Sequence, residues 1–110
     1  MRVVVPHGMT QEATMPIMDK ALDKLLAGVG GSVQVLDQKS NWDGPVMTFS
    51  FTGKLGFIAV PLVGKINVEH TNVTVTMDLP PIVTMFIGED KLRALVDENV
   101  RSLLRAGPQL

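Results

Sequence analysis

The sequence predicts an α+β domain: a curved antiparallel sheet of five or six strands with two helices on one face, the second long and C-terminal. Three observations carry this. Apolar and polar residues alternate through Val73-Thr74-Val75-Thr76-Met77-Asp78-Leu79, and Pro80-Pro81 then ends the strand. Beyond the prolines, Ile82, Met85, Leu92, Val96, Val100 and Leu103 recur at helical spacing, a stripe able to fold back onto the sheet. Nearer the start, Met18, Ala21, Leu22, Leu25 and Leu26 make a second helical stripe.

Taken in order, the β-branched run Arg2 to Pro6 reads as a strand that Pro6 stops, because proline donates nothing to a ladder. His7-Gly8 turns the chain. Thr10 caps a helix to about Ala27, with Gln11 and Glu12 in its first turn. Pro16 either kinks that helix, the favoured reading, or moves its start to Met15 with Thr14 as the cap, and Gly28, Gly30 and Gly31 end it. Asp19, Lys20, Asp23 and Lys24 lie opposite the stripe and read as solvated.

Ser32 to Gln38 is the second strand, and Ser40 to Pro45 has turn chemistry. Val46 to Thr52 is the third, with Met47, Phe49 and Phe51 on one face and Thr48, Ser50 and Thr52 on the other. Such a pattern suits an antiparallel sheet with one wet face. Gly53-Lys54 turns the chain again. Phe57 to Glu69 is extended, but Pro61 and Gly64 predict a bulge or a break into two strands. Glu69 to Asn72 turns into the strand at Val73. The last helix starts near Pro81 and stops at Gly107-Pro108. Its apolar phase, carried from Ile82 and Met85 to Leu92 and Val96, favours one long helix over two broken at Gly88.

A length of 110 residues and a hydrophobic fraction of 45% fit a single domain, 1–110, with one core. There is no cysteine, which excludes a disulfide framework and a thiolate zinc site. Net charge is −1 and the basic residues are scattered, which argues against nucleic acid as a partner. No apolar run approaches the roughly 18 residues of a membrane span, and the N-terminal run is too short for a signal peptide, so the expected location is cytoplasmic. Seven methionines against one tryptophan give a soft apolar set, suited to filling a core or to a pliable surface.

Chemistry-bearing patterns are sparse. His7 and His70 both fall in predicted turns without a paired carboxylate ligand, and read as solvated. Ser32, Ser40, Ser50 and Ser102 lack a G-x-S-x-G context. Gly28, Gly30 and Gly31 follow a helix and no G-K-S/T closes them, unlike a phosphate loop. Lys91, Arg93, Arg101 and Arg105 decorate the last helix among Asp90, Asp97 and Glu98, the composition of a solvated face. The residues therefore imply no catalytic, metal or cofactor site, and an enzyme is the less favoured reading. Five of the six residues from Ile82 to Ile87 are apolar, more than one buried face needs. That excess predicts contact with the first helix, a partner or another surface, with Phe86 the anchor and Gly88 a point of close backbone approach.

Several pieces in series resemble one bacterial family: Pro6-His7 between strand and helix, Trp42-Asp43, Phe49-Ser50-Phe51, Gly64 to Val68, Val73 to Val75, Leu79-Pro80 and the long amphipathic close. Together they resemble the polyhydroxyalkanoic acid system family, encoded near polyester storage-granule functions. Pro16, Pro61 and Gly44-Pro45 depart from its pattern. The resemblance implies a non-enzymatic accessory or binding protein at polyhydroxyalkanoate granules, with the granule surface or granule proteins as partners. It supplies no catalytic residues.

A long helix across a curved sheet also resembles the helix-grip proteins, in fold alone. In that alternative Met47, Phe49, Phe51, Met77, Met85 and Phe86 face a common space. The chain is then a small carrier, or an enzyme, for a hydrophobic acyl ligand. The candidate apolar binding surface is Phe49, Phe51, Met77, Met85 and Phe86. Finally, an open sheet needs cover on its edge strands, and a homodimer through one of them is one way to provide it.

Overall fold

The structure, a computed structural model, describes residues 1–29, 34–86 and 88–106. The chain runs β1 (Arg2–Pro6), α1 (Gln11–Val29), β2 (Gln34–Asp43), β3 (Val46–Leu55), β4 (Ile58–Val68), β5 (Asn72–Met77), α2 (Pro81–Phe86) and α3 (Glu89–Ala106). Five antiparallel strands form one sheet in the order β1-β5-β4-β3-β2. β2 to β5 are a meander, and β1 returns beside β5. The helices pack on one face, α3 over β1 and α1 over β4, touching each other.

Alternation decides which side chains meet the helices. Val3 and Val5, Met47, Phe49 and Phe51, Leu62, Ile66 and Val68, and Val73 and Val75 are buried, and the residues between them point to the other face. From α1, Ile17, Met18, Ala21 and Leu22 close the core; from α3, Leu92, Val96, Val100 and Leu104 do so at four-residue spacing. Leu25 and Leu26 of the predicted stripe have side chains outside the described residues.

The Thr10 cap is present: the Ala13 N–H donates to Thr10 Oγ1 at 3.1 Å. The helix continues through Pro16 and past Gly28 to Val29, so Gly28 does not end it. Gly30, Gly31, Ser32 and Val33, read as the helix stop and the start of the next strand, lie outside the described residues, as do Gly107 and Pro108.

The β2–β3 turn is shorter, and the β3–β4 turn later, than the sequence suggested. Ser40 to Asp43 is strand, paired with Val46 to Phe49, and only Gly44-Pro45 turns. Gly53 and Lys54 pair with Val60 and Ala59, and the turn is Gly56-Phe57. Gly44 and Gly56 have φ of 59° and 63°, the positive φ that one class of two-residue hairpin turn needs at its first residue. Clusters of turn-forming residues had blurred turns that a single Gly-X pair makes.

β4 is unbroken from Ile58 to Val68, against the expected bulge or break. The Val63 carbonyl accepts from the Asp78 N–H on the β5 side. By the two-residue period, the Pro61 nitrogen faces that same side. β5 pairs with β4 only from Gly64 onward, so the missing donor meets an open edge and the ladder to β3 is intact. The only bulge in the described ladders lies in β2 between Leu36 and Lys39, where Asp37 adopts φ 53°.

The last helical region breaks at Gly88, against the single long helix. Pro81 opens α2 at a position where its missing N–H costs little. The Gly88 carbonyl accepts the first bond of α3, from the Leu92 N–H at 3.0 Å, and Glu89 and Asp90 follow in the first turn. This is a helix start with acids at its positive end. The apolar phase across it does not hold, because Met85 points outward and is 83% exposed. Nor is Gly88 a close approach, since nothing lies within 4 Å of where its Cβ would be.

Candidate functional site

The residues that gather polar groups into concave surface lie at the end of the sheet where β1 enters α1 and β4 turns into β5. His7 joins these two connections. Its Nδ1 accepts the Met9 N–H at 3.0 Å, so Nε2 carries the proton and donates to the Glu69 carbonyl at 2.8 Å. The His7 N–H also donates to the Thr71 carbonyl at 3.1 Å. Far from being a solvated turn residue, His7 is 8% exposed with both ring nitrogens engaged. Gln11 Nε2 adds a bond to the Val68 carbonyl at 2.9 Å, fixing the start of α1 against β4. Thr74, buried on the polar side of the sheet, donates its hydroxyl to the Glu69 carboxylate.

Two grooves flank this latch. The larger, about 410 Å³, is lined by Gly8, Met9, Thr10, Gln11, Glu12, His70 and Thr71. Two of its polar side chains are already engaged, Thr10 as the cap and Gln11 on Val68. Glu12 and His70 remain on its rim, joined by no hydrogen bond. The smaller, about 230 Å³, lies between Val5 to His7 and Arg101, Leu104 and Arg105 of α3. Arg101 pairs with Asp97 on its own helix and Arg93 with Asp90, so two of the four cations on α3 are matched locally. No hydrogen bond among the described residues of either groove joins a base to a hydroxyl nucleophile. Among the described residues, no three of His, Asp and Glu converge as a metal set, and no buried side-chain nitrogen or oxygen lacks a partner. No helix there is long and apolar enough to cross a membrane.

The predicted apolar surface is dispersed. Phe49 and Phe51 stack within the core, ring centroids 6.4 Å apart and planes 9° from parallel. Met77 is half-buried against that core. Met85 faces solvent on α2, and the Phe86 side chain lies outside the described residues. Asp19 and Asp23 are exposed, as expected, and also accept hydrogen bonds from β2: Trp42 Nε1 at 3.0 Å and Gln38 Nε2 at 2.9 Å. Their four-residue spacing, one helical turn, was the available signal. Sequence reading also missed Phe57, placed within a strand but standing at a hairpin tip, wholly exposed; the Gly-X pair Gly56-Phe57 was the clue.

No family model, curated protein or solved structure matches the chain.

Proposed function

We propose that this is a non-enzymatic binding protein that acts through its surface, in the cytoplasm, at polyhydroxyalkanoate granules, as the sequence resemblance implies. The observation that most favours surface action is the packing of the aromatic side chains proposed for a ligand chamber. The Phe49 ring fills the space over Gly64, where an added Cβ would overlap it, and Phe51 stacks on Phe49. The side chains of a would-be chamber are each other's neighbours. The exposed apolar groups, Phe57, Val63 and Met85, lie outside. The granule itself rests on the resemblance. The test is fractionation of granule-rich cells carrying tagged protein: recovery with the granules supports the reading, and wholly soluble protein counts against it.

A further inference from the structure

The β3–β4 hairpin runs past the end of β5, with β2 beside β3 as far as the pair Gln34–Lys54. β5 accompanies β4 only from Gly64 to Val68, so the strand beyond Val63 is flanked by β3 alone and extends roughly 20 Å past the last β5 pair. The molecule is correspondingly elongated, 42 × 24 × 23 Å. At the tip, Phe57 is 105% exposed and Ile58 beside it is exposed too. An aromatic ring at the extremity of a rigid ladder contributes nothing to the core. Lys54 is the charged residue nearest the tip on the hairpin and on its neighbour β2. Between Asp43 and Glu69 the chain holds Lys54 and Lys65 and no acid. Lys54 points to the solvent face one pair behind the closing pair Leu55–Ile58, about 7 Å from the tip. The nearest acid on the adjoining strand, Asp37, lies in the bulge opposite Ser50 to Thr52, further from the tip than Lys54.

We propose that this hairpin tip is a wedge for an anionic phospholipid surface, Phe57 and Ile58 entering the interface and Lys54 meeting the headgroup phosphates. The depth matches: interfacial apolar groups enter about 5–10 Å, which leaves the Lys54 ammonium at the phosphate level. The charge matches as well, since a basic side chain beside an apolar tip is attracted to an anionic leaflet and repelled by nothing on its own hairpin. This contact is independent of granule attachment and can fail or hold without it.

The test is cosedimentation of the purified full chain with vesicles of phosphatidylglycerol mixed with phosphatidylcholine, against phosphatidylcholine alone. The expected result is binding to the anionic vesicles that weakens as salt rises. Phe57→Ser should reduce it on the order of tenfold or more, with the melting temperature unchanged because the ring is wholly exposed. Lys54→Glu, which keeps the ring, should reduce it too. Loss of vesicle binding in Phe57→Ser with granule recovery retained supports the wedge and separates it from granule attachment. Absence of binding to the anionic vesicles overturns the proposal, as does equal binding by Phe57→Ser. A wild-type dimer that becomes monomeric in Phe57→Ser, without vesicle binding, also overturns it and makes the tip a contact between two copies of the chain.

Discussion

The ring of Phe49 lies over the backbone of Gly64, its partner across β3 and β4. A Cβ at position 64 would overlap the ring, 2.9 Å from Cε1, and stand 2.8 Å from the Thr76 carbonyl oxygen. An aromatic covering a cross-strand glycine restores the packing that the glycine lacks. Gly64→Ala should therefore destabilise by about 1–3 kcal/mol, as overpacking does. Phe49→Leu in the same chain should recover only part of that loss, because the Thr76 backbone cannot move aside as a side chain can. Urea unfolding of the single and double variants measures both.

His7 ties two connections that are far apart in sequence. His7→Phe keeps the ring volume but leaves the Met9 N–H and the Glu69 carbonyl without their partners. The expected cost is about 2–4 kcal/mol, the penalty for two interrupted hydrogen bonds at a largely buried site. Thermal unfolding followed by circular dichroism reads it, and a melting temperature within a degree or so of wild type would remove the latch from the account.

Trp42 is the one tryptophan and reports on the seam between α1 and β2. Asp19→Ala removes the acceptor of its indole N–H. The pair is exposed, so stability should fall by only about 0.5–1 kcal/mol, with a shift in tryptophan emission in the folded state. Unchanged emission would mean that the indole does not depend on Asp19.

Asp37 holds φ 53° in the β2 bulge. Asp and Asn tolerate that region and β-branched residues do not. Asp37→Asn should be nearly neutral, and Asp37→Val should cost about 1–2 kcal/mol. Equal stability of the two would show that the bulge relaxes out of the left-handed conformation.

Much of the fold was legible because it rests on periodicity. The alternation in Met47 to Thr52 and in Val73 to Met77 specifies a sheet with one covered face, and the spacing of Leu92, Val96 and Val100 specifies the helix that covers it. What escaped were features set by partners in space. Pro61 breaks a strand only if its nitrogen faces a neighbour, and where β5 stops is not written near Pro61. Met85 keeps the helical phase of Leu92 only if the helix is continuous, and Gly88 followed by Glu89-Asp90 restarts it. Asp19 and Asp23 are exposed, but their bonds to Trp42 and Gln38 went unforeseen because those partners come from another element. Phe49 and Phe51 are core and not surface for the related reason that the residues of one sheet face pack among themselves.

Gly88 offers a small test of the helix restart. As the residue before α3, it lacks the side-chain acceptor that caps a helix. Gly88→Ser should stabilise by a few tenths of a kcal/mol, with nothing nearby to obstruct the new side chain. A continuous helix through position 88 would gain far more from Gly88→Ala than from Gly88→Ser, which denaturant melts of the two variants would reveal.

The central claim, that the protein works by its surface at polyester granules, is tested most directly by adding purified chain to isolated polyhydroxyalkanoate granules. Free protein is then measured across a concentration series, with and without a long-chain acyl ligand. The expected result is saturable binding to the granules that the ligand leaves unchanged. Protein that stays in solution, and whose melting temperature rises with the acyl ligand, would contradict it and establish the chain as a carrier.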